Sequence, residues 1–115
     1  MKIFIETKAH CMQRRLDCKR LINYFKKNSC QIVKKPSLAD IFILMTCGAA
    51  TKFKKKAYNR IDSLLRHKKR IIVLGCLPVI DGNIFKEKFK GQFLSTKNIY
   101  KIDNFFPEFN IKYSF

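Results

Sequence analysis

The five cysteines are the residues of this 115-residue chain with the clearest capacity for chemistry. Three of them, Cys11, Cys47 and Cys76, come shortly after apolar runs of the kind that form strands. An odd number of cysteines cannot all pair within one chain, and the short apolar run before Glu6 predicts a strand rather than a secretion signal. We therefore expect a cytoplasmic protein whose cysteines act as thiols or metal ligands rather than as disulfides.

Thiolates are soft ligands, and they favour iron–sulfur clusters, zinc or cuprous ions. Successive cysteines are separated by 7, 12, 17 and 29 positions, so the chain contains no Cys-x-x-Cys pair of the kind that structural zinc sites use. A catalytic thiol would need a single cysteine, so three are more than that role requires. Core packing is the other interpretation of a free cysteine. We expect it for Cys18, on the apolar stripe of a helix, and for Cys30, at the start of a strand.

The elements that must position these thiols alternate along the chain. Strand patterns alternating with helix patterns are typical of a parallel sheet with right-handed crossovers. The sequence therefore predicts one domain over residues 1–115, an α/β three-layer sandwich of flavodoxin-like type with a mostly parallel sheet of about five strands. Residues from Lys97 onward show no clear period. The predicted strands are Lys2–Thr7, Gln31–Val33, Asp40–Met45, Arg70–Leu74 and Gln92–Ser95, and the predicted helices are Met12–Asn28, Lys52–His67 and Asn83–Lys90.

The connection between the second and third strands is short for a parallel crossover. Lys35–Asp40 provides six residues, where a dozen or more are usual. A tight crossover with a single turn at Ser37–Ala39 is the first expectation, and an antiparallel edge strand is the alternative.

In the doubly wound strand order 2-1-3-4-5, the first, third and fourth strands are neighbours, about 4.8 Å apart. Cys11, Cys47 and Cys76 follow these three strands, so we expect them to meet at the carboxyl edge of the sheet, where open α/β sheets bind their ligands. We also expect turns at this edge to offer free backbone N–H groups to a thiolate. The residues alone leave open whether the three thiols share a site or pack in the core.

The chain is strongly basic, with 25 Lys and Arg against 8 Asp and Glu and a net charge of +17. Such an excess predicts a polyanionic partner, nucleic acid before anionic membrane. No apolar stretch approaches the ~18 residues that span a bilayer. A solvated polar face is the alternative, and no motif for sequence-specific RNA recognition is present. The candidate contacts to nucleic acid or another anion are Arg14, Arg15, Lys52, Lys55 and Lys56.

Three short motifs, each after a predicted strand, resemble a known family. Glu6-Thr7 precedes Cys11, and Met45-Thr46-Cys47 and Gly75-Cys76-Leu77 follow in the same order as in the N-terminal domain of the methylthiotransferases. That family comprises radical S-adenosylmethionine enzymes that methylthiolate tRNA adenosines beside the anticodon, or an aspartate of a ribosomal protein. The resemblance covers about residues 2–106 and leaves 107–115 as a tail.

The resemblance implies that Cys11, Cys47 and Cys76 ligate an auxiliary [4Fe-4S] cluster that serves sulfur insertion, with tRNA as the substrate. It also implies a flavodoxin-like fold. Met45 stands where the family usually has Asn, and the chain lacks the Cys-x-x-x-Cys-x-x-Cys motif that would hold the cluster that cleaves S-adenosylmethionine. The chain would then be half of a split enzyme, with S-adenosylmethionine entering only through a partner subunit, a separate radical S-adenosylmethionine protein, or it would be a fragment of a longer enzyme. A stand-alone iron–sulfur carrier and a basic RNA-binding module are the alternatives.

Overall fold

The computed structural model describes residues 1–7, 12–46 and 51–113, and within them the side chains of all but 12–14 and 51–52. None of the helices in this part of the chain is long and apolar enough to cross a membrane. The elements are β1 (Lys2–Thr7), α1 (Met12–Lys27), β2 (Gln31–Val33), a 3-10 turn (Pro36–Leu38), β3 (Ile41–Thr46), α2 (Thr51–Leu65), β4 (Arg70–Gly75), α3 (Leu77–Asp81), α4 (Asn83–Lys88), β5 (Gln92–Ser95) and a 3-10 segment (Thr96–Phe105).

The five strands form one sheet in the order β2-β1-β3-β4-β5. Every pair of neighbouring strands is parallel. The predicted α/β sandwich of flavodoxin-like type and the predicted strand order are therefore confirmed, and the alternative of an antiparallel edge strand is wrong.

The sheet buries both of its faces, because alternate residues of each strand point to opposite sides. On one face Ile3 and Ile43 pack with α1 and the C-terminal segment, where the Phe25 and Phe106 rings lie 5.3 Å apart. On the other face Phe4 and Phe42 pack against α2 and the short helices. Every residue of β3 is buried, which agrees with its continuous apolar run.

The tight crossover between β2 and β3 is made by the turn Pro36–Leu38, one residue earlier than predicted. β3 begins at Ile41 rather than at Asp40, because Asp40 caps the start of β1 instead. Its carboxylate accepts a hydrogen bond from the Lys2 backbone N–H at 2.8 Å, and its own N–H donates to the Lys2 carbonyl at 2.8 Å. These bonds hold the amino ends of the two strands together.

Two elements are absent from the sequence prediction. The residues Gly75–Pro78 indicate only a break, but α3 begins at Leu77, where Pro78 is tolerated because a helix leaves its first N–H groups without intrahelical partners. The second is the 3-10 segment of the tail, which buries Ile99 and Ile102 against α1 and the sheet. Its geometry has neither the 3.6-residue nor the 2-residue period, so no period is visible in the sequence.

Candidate functional site

Three adjacent strands end at the same edge of the sheet. In the β1–β3 pairing Thr7 lies opposite Met45, and in the β3–β4 pairing Thr46 lies opposite Gly75. The segments that follow these strands carry the three candidate ligands. Cys11 and Cys47 lie outside the described residues, and Cys76 lies within them. The predicted alignment of the strand ends is thus present, and the side-chain arrangement of the three thiols remains a prediction.

Cys76 is partly buried at the turn between β4 and α3. Its backbone N–H donates to the Thr46 carbonyl at 3.3 Å. The next N–H, that of Leu77, donates to the Thr46 hydroxyl at 3.3 Å, and this hydroxyl in turn donates to the Leu74 carbonyl at 2.8 Å. The expectation of free N–H groups is therefore wrong at this turn, because Thr46 accepts from both of them.

The other two cysteines are core residues, as expected from their positions. Cys18 is 7% exposed and Cys30 is 8% exposed, and both pack in the cluster on the α1 face of the sheet. Burial raises the pKa of the Cys30 thiol. A raised pKa keeps the thiol protonated, which disfavours it as a metal ligand. The structure thus separates these two cysteines from Cys76.

An ion pair links the end of β1 to α2. Arg60 forms a bidentate contact with Glu6, with Nε–Oε2 at 2.7 Å and Nη2–Oε1 at 3.0 Å. The guanidinium also lies over the Phe4 ring at 6.0 Å. Glu6 lies in β1, which precedes the segment with Cys11, and Arg60 lies in α2, which follows the segment with Cys47. The ion pair therefore connects an element beside one segment to an element beside the other.

A second polar cluster, which the sequence does not predict, holds α3 against α2. Asp81 accepts a hydrogen bond from the Tyr58 hydroxyl at 2.6 Å and pairs with the Lys54 ammonium at 2.9 Å. The hydrogen bond from Tyr58 and the nearby Lys54 and Lys88 hold the pKa of Asp81 below its ordinary value, although burial opposes this. Burial, and then the contact with Asp81, raises the pKa of Tyr58. No sequence signal links residues 23 positions apart, so this cluster emerges only from the fold.

The predicted anion-binding residues lie at the starts of the two long helices, and both helices begin at the edge that carries Cys76. Arg15 on α1 and Lys55 and Lys56 on α2 are exposed. The side chains of Arg14 and Lys52 lie outside the described set. Because α1 and α2 cover opposite faces of the sheet, the three exposed residues lie on both sides of the edge.

Cys76 is the candidate ligand at this edge whose position the structure describes. Within residues 1–7, 12–46 and 51–113, no three His, Cys, Asp or Glu side chains come together as metal ligands. Any site here therefore depends on the segments at 8–11 and 47–50. In the sequence these segments carry Cys11 and Cys47, which with Cys76 make three cysteines, and thiolates are the ligands of iron–sulfur clusters.

Residues 2–95 match the family described as "Uncharacterized protein family UPF0004". The chain therefore belongs to this family, which forms the N-terminal domain of the methylthiotransferases. The resemblance inferred from the three motifs is thereby confirmed.

Named relatives include enzymes that act on tRNA and one that acts on a ribosomal protein. A probable threonylcarbamoyladenosine tRNA methylthiotransferase of Pyrococcus horikoshii is 28% identical over 89% of this chain and 24% of its own length. A tRNA-2-methylthio-N(6)-dimethylallyladenosine synthase of Helicobacter pylori is 30% identical over 89% of this chain and 24% of its own length. A ribosomal protein uS12 methylthiotransferase of Mesorhizobium japonicum is 30% identical over 68% of this chain and 18% of its own length. The chain thus spans about a quarter or less of the length of these relatives.

Proposed function

We propose that this domain holds an auxiliary [4Fe-4S] cluster through Cys11, Cys47 and Cys76 and serves sulfur insertion into tRNA by a methylthiotransferase. The observation that carries the proposal is the common edge at which β1, β3 and β4 end, with a candidate ligand in the segment after each strand. Cys18 and Cys30 are buried in the core and take no part. Because the ligands must be reduced thiolates, the domain acts in the reducing cytoplasm.

Three protein ligands leave one iron of a cubane cluster without a cysteine, and that iron can bind a small sulfur species. The role of this chain is to hold the cluster at the sheet edge and to present it to a bound substrate. Every cysteine separation is 7 or more, so the cluster that cleaves S-adenosylmethionine belongs to a radical S-adenosylmethionine protein or domain outside these 115 residues.

The ligand assignment is tested by replacing each of the five cysteines with alanine and reconstituting each variant anaerobically. Cys11→Ala, Cys47→Ala and Cys76→Ala are expected to lose most of the visible absorbance of the cluster. Cys18→Ala and Cys30→Ala are the matched controls, and they are expected to keep it despite a loss of stability of about 1 kcal/mol or more from the cavity each leaves. Retention of the cluster in the Cys47→Ala protein would contradict the assignment.

The choice of tRNA over a protein substrate is supported by the basic residues beside the same edge. Arg15, Lys55 and Lys56 are exposed, and phosphate contacts by such residues make binding fall steeply with salt. The relatives from Pyrococcus horikoshii and Helicobacter pylori are named for tRNA. A ribosomal-protein substrate would not require this excess of positive charge.

Binding of a labelled tRNA tests this part of the proposal. The double variant Lys55→Gln/Lys56→Gln is expected to weaken binding and to lower the slope of log K against log salt by about 1 for each phosphate that the lysines neutralise. Lys26→Gln/Lys27→Gln removes the same charge from the far end of α1 and serves as the control. Equal reductions of affinity in the two variants would indicate a nonspecific effect of net charge.

The alternatives give different results in the same experiments. A stand-alone iron–sulfur carrier binds iron through the three cysteines and shows no affinity for tRNA. A basic RNA-binding module binds tRNA with a steep salt dependence and contains no iron after reconstitution.

A further inference from the structure

Thr46 is a fully buried polar residue at the carboxyl end of β3, directly before Cys47. Both hydrogen bonds of its hydroxyl are made to residues that flank Cys76. The hydroxyl donates to the Leu74 carbonyl at 2.8 Å and accepts from the Leu77 N–H at 3.3 Å. One side chain adjacent to one candidate ligand thus holds the backbone on both sides of another.

The backbone of Thr46 contributes to the same contact. Its carbonyl accepts the N–H of Cys76 at 3.3 Å. Gly75 has a φ of +111°, and a Cβ at this position would lie 2.4 Å from the Thr46 carbonyl oxygen. The ends of β3 and β4 are therefore packed more closely than any residue with a side chain at position 75 would permit.

We propose that Thr46 is a positioning residue that fixes the backbone around Cys76 relative to the carboxyl end of β3, which lies directly before Cys47 in the sequence. The inference rests on the proposed function, since it concerns the site at which these two cysteines act as ligands. A metal site keeps its geometry only when the residues behind its ligands are themselves fixed. The Thr46 hydroxyl provides that support, because one of its partners lies in β4 before Cys76 and the other begins α3 directly after it.

Two variants separate the hydroxyl from the rest of the side chain. Thr46→Val keeps the shape but leaves the Leu77 N–H and the Leu74 carbonyl buried without this partner. Thr46→Ser keeps the hydroxyl and removes only the methyl group. Asn28→Ala is the control for general loss of stability. It removes side-chain hydrogen bonds to the Tyr24 and Ile111 backbone at the opposite edge of the sheet.

The first measurement is amide hydrogen exchange, which needs no cluster. The Leu77 amide is expected to be protected in the wild type and in Thr46→Ser, and to exchange faster in Thr46→Val. Thr46→Ala is a second hydroxyl-free variant in case valine at this position prevents folding.

The second measurement is the rate of iron loss to a chelator and the EPR spectrum of the reduced cluster. Thr46→Val is expected to lose iron about tenfold faster than the wild type and to show shifted g values, while Thr46→Ser and Asn28→Ala behave as the wild type. If Thr46→Val loses iron at the wild-type rate and shows the wild-type spectrum, the inference is overturned and the proposed function is not. The same holds if Asn28→Ala also loses iron faster and shows shifted g values. A wild-type protein that binds no iron would instead overturn the proposed function, and the inference with it.

Discussion

Gly75 is the residue whose backbone most tightly constrains the candidate site. Its φ of +111° lies in a region that residues with a Cβ rarely adopt, and a Cβ there would approach the Thr46 carbonyl oxygen to 2.4 Å. This explains in physical terms why a glycine precedes Cys76. Any other residue would push the turn away from the end of β3.

Gly75→Ala is therefore expected to destabilise the protein by about 1–3 kcal/mol from backbone strain, with a further cost from the clash. Gly82→Ala is the matched control, because Gly82 also has a positive φ (+51°) but has open space around it. Urea unfolding of the two variants measures the difference. A smaller loss of stability for Gly75→Ala than for Gly82→Ala would contradict the close approach of β3 and β4.

The sequence predicts that Cys18 and Cys30 pack in the core and that the other three cysteines are candidate ligands. The burial of Cys18 and Cys30 agrees with the first part of this prediction. The hydrogen bonds of Thr46 could not be predicted from the sequence. Thr46 is visible in the sequence only as part of a motif, because its partners Leu74 and Leu77 are close to it only once β3 and β4 pair.

Among the helices, α3 is the one that begins directly after a described candidate ligand. It is five residues long, too short to be stable by itself, and it follows Cys76 directly. Asp81 at its end is held to α2 by Tyr58 and Lys54. The polar cluster therefore fixes the far end of α3, while Thr46 fixes its start.

Asp81→Asn is expected to lower the free energy of unfolding by about 1–3 kcal/mol at pH 7, because it removes the charge that Lys54 and Tyr58 contact. The pKa of Asp81 is lowered in the folded protein. The ionised carboxylate therefore contributes to the free energy of unfolding above the unfolded-state pKa of 3.8, and this contribution is lost as the pH falls through the folded-state pKa. The difference between wild type and variant should therefore shrink below about pH 4. Urea unfolding at several pH values measures it, and a difference that persists at the lowest pH would contradict the ionic role of Asp81.

The main strands and long helices could be predicted to within one or two residues, because the helices have a regular apolar period and the central strands are continuous apolar runs of strand length. α3 could not, since a helix of five residues that contains Pro78 has neither the length nor the pattern of a predicted one. The same limit applies to Asp40, which follows an alanine at an apparent strand start but caps β1 instead.

For the molecule as a whole, the C-terminal segment completes the core on the α1 face of the sheet. The family match ends at residue 95, yet Ile102 and Phe106 beyond it are fully buried. Phe106 stacks on Phe109 at 4.8 Å and lies under the Arg70 guanidinium at 4.9 Å. The segment is therefore part of the folded domain, although the sequence alone indicates only a tail without a period.

Phe106→Ala is expected to lower the free energy of unfolding by about 3–5 kcal/mol, as removal of a buried phenylalanine does elsewhere. Ile111→Ala is the control in the same region, since Ile111 is 43% exposed, and its cost should be well below that of Phe106→Ala. Thermal or urea unfolding checks both. Equal stabilities of the two variants would show that the segment does not complete the core.

The proposed function depends above all on three cysteines at one sheet edge holding a single cluster. The decisive measurement is the iron and acid-labile sulfide per chain after anaerobic reconstitution of the wild type and of the Cys11→Ala/Cys47→Ala/Cys76→Ala triple variant. The prediction is about four irons and four sulfides in the wild type and neither in the triple variant. Iron and sulfide absent from the wild type, or retained in the triple variant, would contradict the proposed cluster.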